Sequence, residues 1–274
     1  MSDVDTLKKI VKTLKIDVLN SIYNVKTGHI GGSFSAAEII TVLYFHVLNI
    51  DPKNPHMINR DRFVLSKGHS APILYAALAR KGFFPLDDLN HLRMVNSHLQ
   101  GAPNINTPGI DMSSGPLGQG LSAAVGMALN ARISKLDYKV WCMVGDGEVQ
   151  EGQIWEAAMT AGKYLLNNLI CILDHNKVQM SGTSNEMMPV GDVGKKLETF
   201  GWRSVYISDG NCIEEILDTF NNLWKEEDSR PIAIIAETVK SKGVSFMEGK
   251  WMWHGAITSK DLYEQALNEL KGAE

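Results

Sequence analysis

The stretch Lys139-Val140-Trp141-Cys142-Met143-Val144-Gly145-Asp146-Gly147-Glu148 and the later Leu169-Ile170-Cys171-Ile172-Leu173-Asp174-His175-Asn176-Lys177-Val178 decide how this chain folds. Each is an apolar run of strand length that ends in a polar loop, and the residues between them suffice for one helix. A strand–helix–strand unit builds a parallel sheet, whose strands are buried on both faces and therefore read as continuous apolar runs. The spacing predicts strands over 139–144 and 169–173, with a helix starting near Glu148. Asp146 and Asn176 then stand at the carboxyl ends of neighbouring strands, the edge at which doubly wound sheets bind ligands. Mg²⁺ prefers one or two such carboxylate or carbonyl oxygens supplemented by phosphate oxygens. Gly145 and Gly147 permit close backbone approach to an anion, and a helix start offers it free N–H groups. The layout is that of a Mg²⁺-diphosphate grip, although Gly-Asp-Gly alone also suits a plain turn.

Outward from this unit the alternation continues. Apolar positions at helical spacing (Leu7, Ile10, Val11, Leu14, Val18, Ile22) predict a first helix over 3–25, stopped by the glycines of 28–32. A second helix is expected from Ser33 or Ser35 to about Leu48, with serine as its cap. Arg62-Phe63-Val64-Leu65 reads as the first buried strand, leading into Ser66-Lys67-Gly68-His69 and an Ala/Leu-rich helix. Residues 91–120 form a long stretch dense in Gly, Pro, Asn and Ser, a length that usually signals a functional loop. A helix over 121–133 follows, then a loop over 179–189, strands over 202–207 and 232–238, and a helix over 213–224 between those strands. The expected fold is α/β: a doubly wound, mostly parallel sheet with helices on both faces, and one domain over 1–274.

Composition excludes several classes. The chain has 274 residues, 44% hydrophobic and 21% charged, with a formal net charge of −4. That balance, without a long basic stripe, gives no reason to expect nucleic acid as a partner. No run approaches the ~18 apolar residues of a membrane span, and the acidic Met1-Ser2-Asp3-Val4-Asp5 start lacks the order of a secretory signal. Cys142, Cys171 and Cys212 are spaced without a Cys-x-x-Cys pair and read as reduced thiols of a cytoplasmic protein.

Five ordered motifs extend the reading: Thr27-Gly28-His29, Ser66-Lys67-Gly68-His69, Ser114-Gly115-Pro116-Leu117-Gly118-Gln119-Gly120, the Gly145–Asn176 run and Trp253-His254-Gly255. Together they resemble the N-terminal, diphosphate-binding half of transketolases, over nearly the whole chain. The resemblance implies thiamine diphosphate and Mg²⁺ as cofactors, and transfer of a two-carbon ketol unit from a ketose to an aldose. It implies Asp146, Asn176 and the backbone carbonyl of Val178 as protein ligands of the metal. It assigns His29 and His69 to the reacting centre, and His254 to the diphosphate. It further implies cofactor contacts at Gly115, Pro116, Leu117 and Gly147. Lys67 and Lys240 match family positions near the diphosphate, and each also suits a surface lysine. Glu151 matches a glutamate at the subunit contact that links two active sites; a helix-start glutamate is its alternative.

One departure concerns substrate. Where the family usually reads Leu-x-Gly-His-Pro, this chain reads Leu99-Gln100-Gly101-Ala102-Pro103, so the histidine that binds the donor's terminal hydroxyl is missing. Nearby His98 is an alternative that the spacing leaves open. The glutamate that activates the cofactor lies, in the family, beyond the end of this chain. The resemblance therefore implies one subunit of a split enzyme, completed by a C-terminal subunit with the pyrimidine-binding domain, as an α2β2 assembly acting on sugars or sugar phosphates. Competing readings are a specialised sugar transketolase, a deoxyxylulose-phosphate synthase-like or 2-oxo acid dehydrogenase E1-like subunit, and a non-catalytic diphosphate-binding subunit.

Overall fold

The computed structural model describes residues 3–225, 227–255 and 259–272. Met1 and Ser2 of the acidic start and the terminal Ala273-Glu274 lie outside them. Helix α1 (Val4–Val25) is capped by the Asp3 carboxylate, which accepts from Thr6 N at 2.7 Å, and it ends at Lys26 in the left-handed region. Helices α2 (Ile30–Ser35) and α3 (Ala37–Val42) follow, and a π-helical turn (Leu43–Val47) extends the second. Strand β1 (Arg62–Leu65) precedes α4 (Ala71–Lys81). Next come α5 (Gln119–Ile133), β2 (Val140–Gly145), α6 (Gly152–Lys163) and β3 (Leu169–His175). The remainder is α7 (Ser184–Met187), α8 (Val193–Thr199), β4 (Arg203–Ile207), α9 (Ile213–Asn222), β5 (Ile232–Glu237) and α10 (Lys260–Gly272).

The five strands lie in the order β1-β2-β3-β5-β4 and every pairing is parallel. Alternate residues of each strand feed two cores. Trp141, Met143, Ile170, Ile172 and Ile234 face α1, α3, α4, α9 and α10, whereas Val140, Cys142, Val144, Cys171 and Ile235 face α5, α6 and α8. The expected doubly wound sheet is therefore present, with helices on both faces. Right-handed crossovers account for this division: connections that step one way along the sheet must run over one face, and those that step back must run over the other. The connections stepping from β1 towards β4 carry α5, α6 and α8 over one face, and the step back from β4 to β5 carries α9 over the other. Directly after β1 the chain first visits that second face with α4, so the strand exits diverge between β1 and β2 and again between β3 and β5. Such switch points leave crevices at the carboxyl ends of the strands.

Four expectations need correcting. The second helix starts at Ile30 rather than at Ser33 or Ser35, breaks at Ala36, and has no serine cap, His29 standing at its N-terminus without a side-chain cap bond. The glycines Gly31 and Gly32 do not stop a helix but lie inside α2. A side chain on Gly31 would come within 2.8 Å of Trp253 O, and one on Gly32 within 2.7 Å of Ser70 Oγ, so these glycines serve close packing. The helix expected at Glu148 begins at Gly152, because Glu148–Gln150 forms a separate 3-10 turn. The loop expected over 179–189 contains α7, held by a reciprocal cap in which Thr183 accepts from Glu186 N and Thr183 N donates to the Glu186 carboxylate.

Candidate active site at the carboxyl ends of the strands

Four strand ends supply the site. β1 runs into Ser66–His69, β2 into Asp146–Glu148, β3 into Asn176–Val178 and β5 into Thr238–Lys240. Their side chains form two layers.

The lower layer is buried and closed. The Lys67 ammonium, 1% exposed, pairs with the Asp174 carboxylate, 0% exposed, and donates to Gly32 O at 3.1 Å. Ser35 Oγ donates to Asp174 Oδ2 at 2.6 Å, and Thr238 Oγ1 donates to Asp174 Oδ1. Burial pushes the Asp174 carboxyl up, but Lys67 and these hydrogen bonds together hold it below the usual carboxylate range. Glu148 closes the other side, accepting from Ser66 Oγ, from Gly118 N at 2.8 Å and from Gly145 N at 3.0 Å. It thereby ties β1, β2 and the Gly115–Gly118 loop together. Asp174 and Glu148 carry this layer, and neither is marked in the sequence. Asp174 reads there as the end of an apolar strand, and Glu148 as a helix-start acid.

The upper layer is open. The rings of His29, His69 and His254 cluster, with centroids 5.5 Å apart for His29–His69, 5.3 Å for His29–His254 and 5.0 Å for His69–His254. Residues that are far apart in sequence thus meet where the motifs place them together. Lys240, also 1% exposed, donates to Val178 O, Gln179 O and His254 Nδ1, each at 3.0 Å. These contacts spend all three donors of an ammonium and assign the His254 proton to Nε2. Neither Lys67 nor Lys240 is a surface lysine. Burial lowers all three imidazole pKa values, and nearby cations lower them further, Arg93 ahead of Lys240 at His29, Lys67 at His69 and Lys240 at His254: His69 lies well below its usual value and His254 is held down to about 3. All three rings are neutral at pH 7, so each can donate and accept.

Asp146 is 5% exposed and forms no ion pair among the described residues; it accepts from Gly147 N at 2.8 Å and Ser184 Oγ at 2.9 Å. Burial, followed by the charge of Asp174, raises its pKa, which leaves a buried carboxylate short of a cation. Asn176 Oδ1 accepts from Val178 N at 3.1 Å, and Val178 O keeps a second lone pair beside Lys240. The donor set of carboxylate, amide and carbonyl oxygens fits Mg²⁺. No group of three His, Cys, Asp or Glu among the described residues forms a metal site of the other common kind. The Gln179 side chain covers Gly147, where an added side chain would meet it at 3.2 Å.

Gly115 borders Gly68, whose added side chain would come within 3.0 Å of Gly115 N; a side chain added at Gly115 would in turn lie 3.6 Å from Ala102 Cβ. Pro116 and Leu117 continue that loop, with Leu117 exposed. Glu151 is exposed and precedes α6 without capping it, its Cβ packed against Gly118. His98 is tied to Asp88 at 3.0 Å and packs edge-on against Phe84, apart from the imidazole cluster.

The family described as the transketolase thiamine diphosphate binding domain matches residues 6–271. One of the subunits of an apulose-4-phosphate transketolase from Phocaeicola vulgatus is 40% identical, the match covering 97% of this chain and 94% of that one. A 6-deoxy-6-sulfo-D-fructose transketolase subunit from a Clostridium species is 43% identical over 92% of each. Mouse transketolase is 41% identical, but the match spans only 42% of its length. The Campylobacter jejuni transketolase structure superposes with a TM-score of 0.92 at 32% identity, covering 98% of this chain and 43% of that one. The chain thus belongs to the transketolase family, as a thiamine diphosphate-binding domain.

Proposed function

We propose that this chain is the diphosphate-binding subunit of a two-component transketolase, moving a two-carbon ketol unit from a ketose to an aldose with thiamine diphosphate and Mg²⁺. The observation that carries the reading is the cluster of three neutral imidazoles beside Lys240 and the unpaired Asp146. The near-equal length of relatives named as transketolase subunits supports a partner that supplies the pyrimidine-binding domain, in an α2β2 assembly.

Asp146, Asn176 and the Val178 carbonyl would hold the metal, and Gly147 would let the diphosphate approach the backbone. Gly115, Pro116 and Leu117 would face the pyrimidine, and Glu151 the second subunit. Bound there, thiamine diphosphate supplies the electron sink for the two-carbon fragment. His254 offers Nε2–H as a donor, because Lys240 holds its Nδ1. His29 and His69 have ring nitrogens without a hydrogen bond among the described residues, and as neutral bases they take and return substrate hydroxyl protons. Lys67 acts at one remove: it neutralises Asp174, which fixes the floor on which these rings stand.

The test uses the chain assembled with its partner subunit. Asp146→Ala and Asn176→Ala should abolish Mg²⁺-dependent retention of thiamine diphosphate while leaving the fold intact; calorimetry showing near-normal affinity in both would sink the assignment. A specialised donor is the second reading. Ala102 favours it, because no imidazole stands at that position and His98 is engaged elsewhere.

A further inference from the structure

Asn176 is gripped loosely from inside the fold. Among the described residues its Nδ2 makes only long hydrogen bonds, 3.4 Å to Asp174 Oδ2 and 3.5 Å to Ser35 Oγ, while its Oδ1 accepts from Val178 N at 3.1 Å. From outside, one carboxylate holds both of its chain neighbours. Glu237 lies opposite His175 in the parallel register of β3 and β5, and its Oε1 stands 2.6 Å from His175 Nδ1. Its Oε2 forms an ion pair with Lys177 Nζ, also at 2.6 Å. Burial pushes the Glu237 carboxyl up, but Lys177 and His175 hold it below the usual range, so it is ionised at pH 7. Lys177 adopts φ 63°, a left-handed conformation that non-glycine residues rarely take and that persists only where the surroundings impose it. Its backbone carries the constraint further: Ser184 N donates to Lys177 O at 2.9 Å, and Ser184 Oγ donates to Asp146 Oδ2 at 2.9 Å. Lys177 therefore stands between Asn176 and Val178 and is joined through Ser184 to Asp146, the three residues that would hold the metal.

We infer that Glu237 is a positioning residue: by clamping His175 and Lys177 it fixes the turn that presents the Asn176 amide and the Val178 carbonyl to Mg²⁺. Groups one step behind metal ligands set the orientation of those ligands, and their loss weakens metal binding. None of the three clamped side chains is buried, so the clamp contributes little to overall stability. The inference rests on the metal assignment and adds to it the device that shapes the site.

The chain assembled with its partner subunit tests it, by calorimetric titration of Mg²⁺ at saturating thiamine diphosphate. Glu237→Ala should weaken Mg²⁺ binding about ten-fold, the lower end of the range for such partners, with the unfolding midpoint nearly unchanged. Glu237→Gln keeps a neutral acceptor for His175, a bond about half as strong as the charged one, and should lose about three-fold. Lys177→Met separates the clamp from a plain field effect. Removing a positive charge beside a divalent cation would by Coulomb's law tighten its binding, whereas releasing the turn weakens it, again by about ten-fold. Unchanged affinity in Glu237→Ala, or unchanged or tighter binding in Lys177→Met, would overturn the role of Glu237. A wild-type assembly that retains thiamine diphosphate without any divalent ion would instead remove the metal assignment, and the clamp with it.

Discussion

The two layers of polar side chains at the carboxyl edge of the sheet are built from similar residues and finished in opposite ways. Below, Lys67, Ser35 and Thr238 all bond to Asp174, and Ser66, Gly118 and Gly145 all donate to Glu148, so each carboxylate is fully engaged. Above, His29 and His69 keep free ring nitrogens among the described residues, Asp146 lacks a counter-charge, and His254 is fixed on one nitrogen and open on the other. The difference separates groups that are already paired from groups that a ligand could still reach. A buried charge without a partner is costly, so a fold retains one only where a ligand will complete it. Saturation marks the frame, and incompleteness marks the chemistry.

The division can be broken by mutation, and the largest effect belongs to the frame. Asp174→Ala strands the Lys67 ammonium in the core and should cost about 3–5 kcal/mol of stability, as removal of one partner of a buried pair does. Denaturant unfolding checks this, and a loss under about 1 kcal/mol would mean that Lys67 escapes to solvent. In the upper layer the pattern reverses. His69→Ala should lower kcat of the assembled enzyme by roughly 10²–10⁴-fold, the range for removing a general acid–base group. Its unfolding midpoint should barely move, and a destabilised but active variant would place His69 in the frame instead.

A smaller effect sharpens the comparison at the margin of the site. Ala102→His restores the imidazole usual in the family and should improve kcat/KM for xylulose 5-phosphate by about ten-fold, since one hydrogen bond with its unpaired partner is worth that much. No gain would show that position 102 carries no information about the donor.

The smallest effect is a titration. The His254 pKa in the fold is about 3 against 6.5 for the free side chain, so its contribution to stability is complete above pH 6.5 and is lost as the pH falls towards 3. Asp146 and Glu148, whose pKa values are raised, act in the opposite sense, so the ring itself must be observed. Its NMR signals should show a neutral imidazole at about pH 5, and a midpoint near 6.5 would mean that the cluster is open to water.

Much of this division was legible in the sequence where a residue's type and its place after a strand coincided. Asp146 and Asn176 follow long apolar runs, and the five motifs located His29, His69 and His254 before any geometry was known. The frame was not legible, because its signals are those of ordinary structure. Asp174 looks like a strand end, Glu148 a helix start, and Gly31-Gly32 a helix stop, until packing shows what each touches. The Thr183–Glu186 cap could have been read from its spacing, and it would have predicted α7.

The strand ends that make the site lie at Leu65, Gly145, His175 and Glu237. Parallel strands pair only through long crossovers, so no local segment contains even a partial version of it, and the site forms only when the whole sheet is in register. Ligand capture is therefore a report on completed folding: a half-formed chain has nothing to offer the diphosphate. A finished one gains about 2.7 kcal/mol when the cofactor stands at roughly a hundred times its Kd. Vitamin supply would then set how long the subunit survives proteolysis, as well as how fast the enzyme turns over.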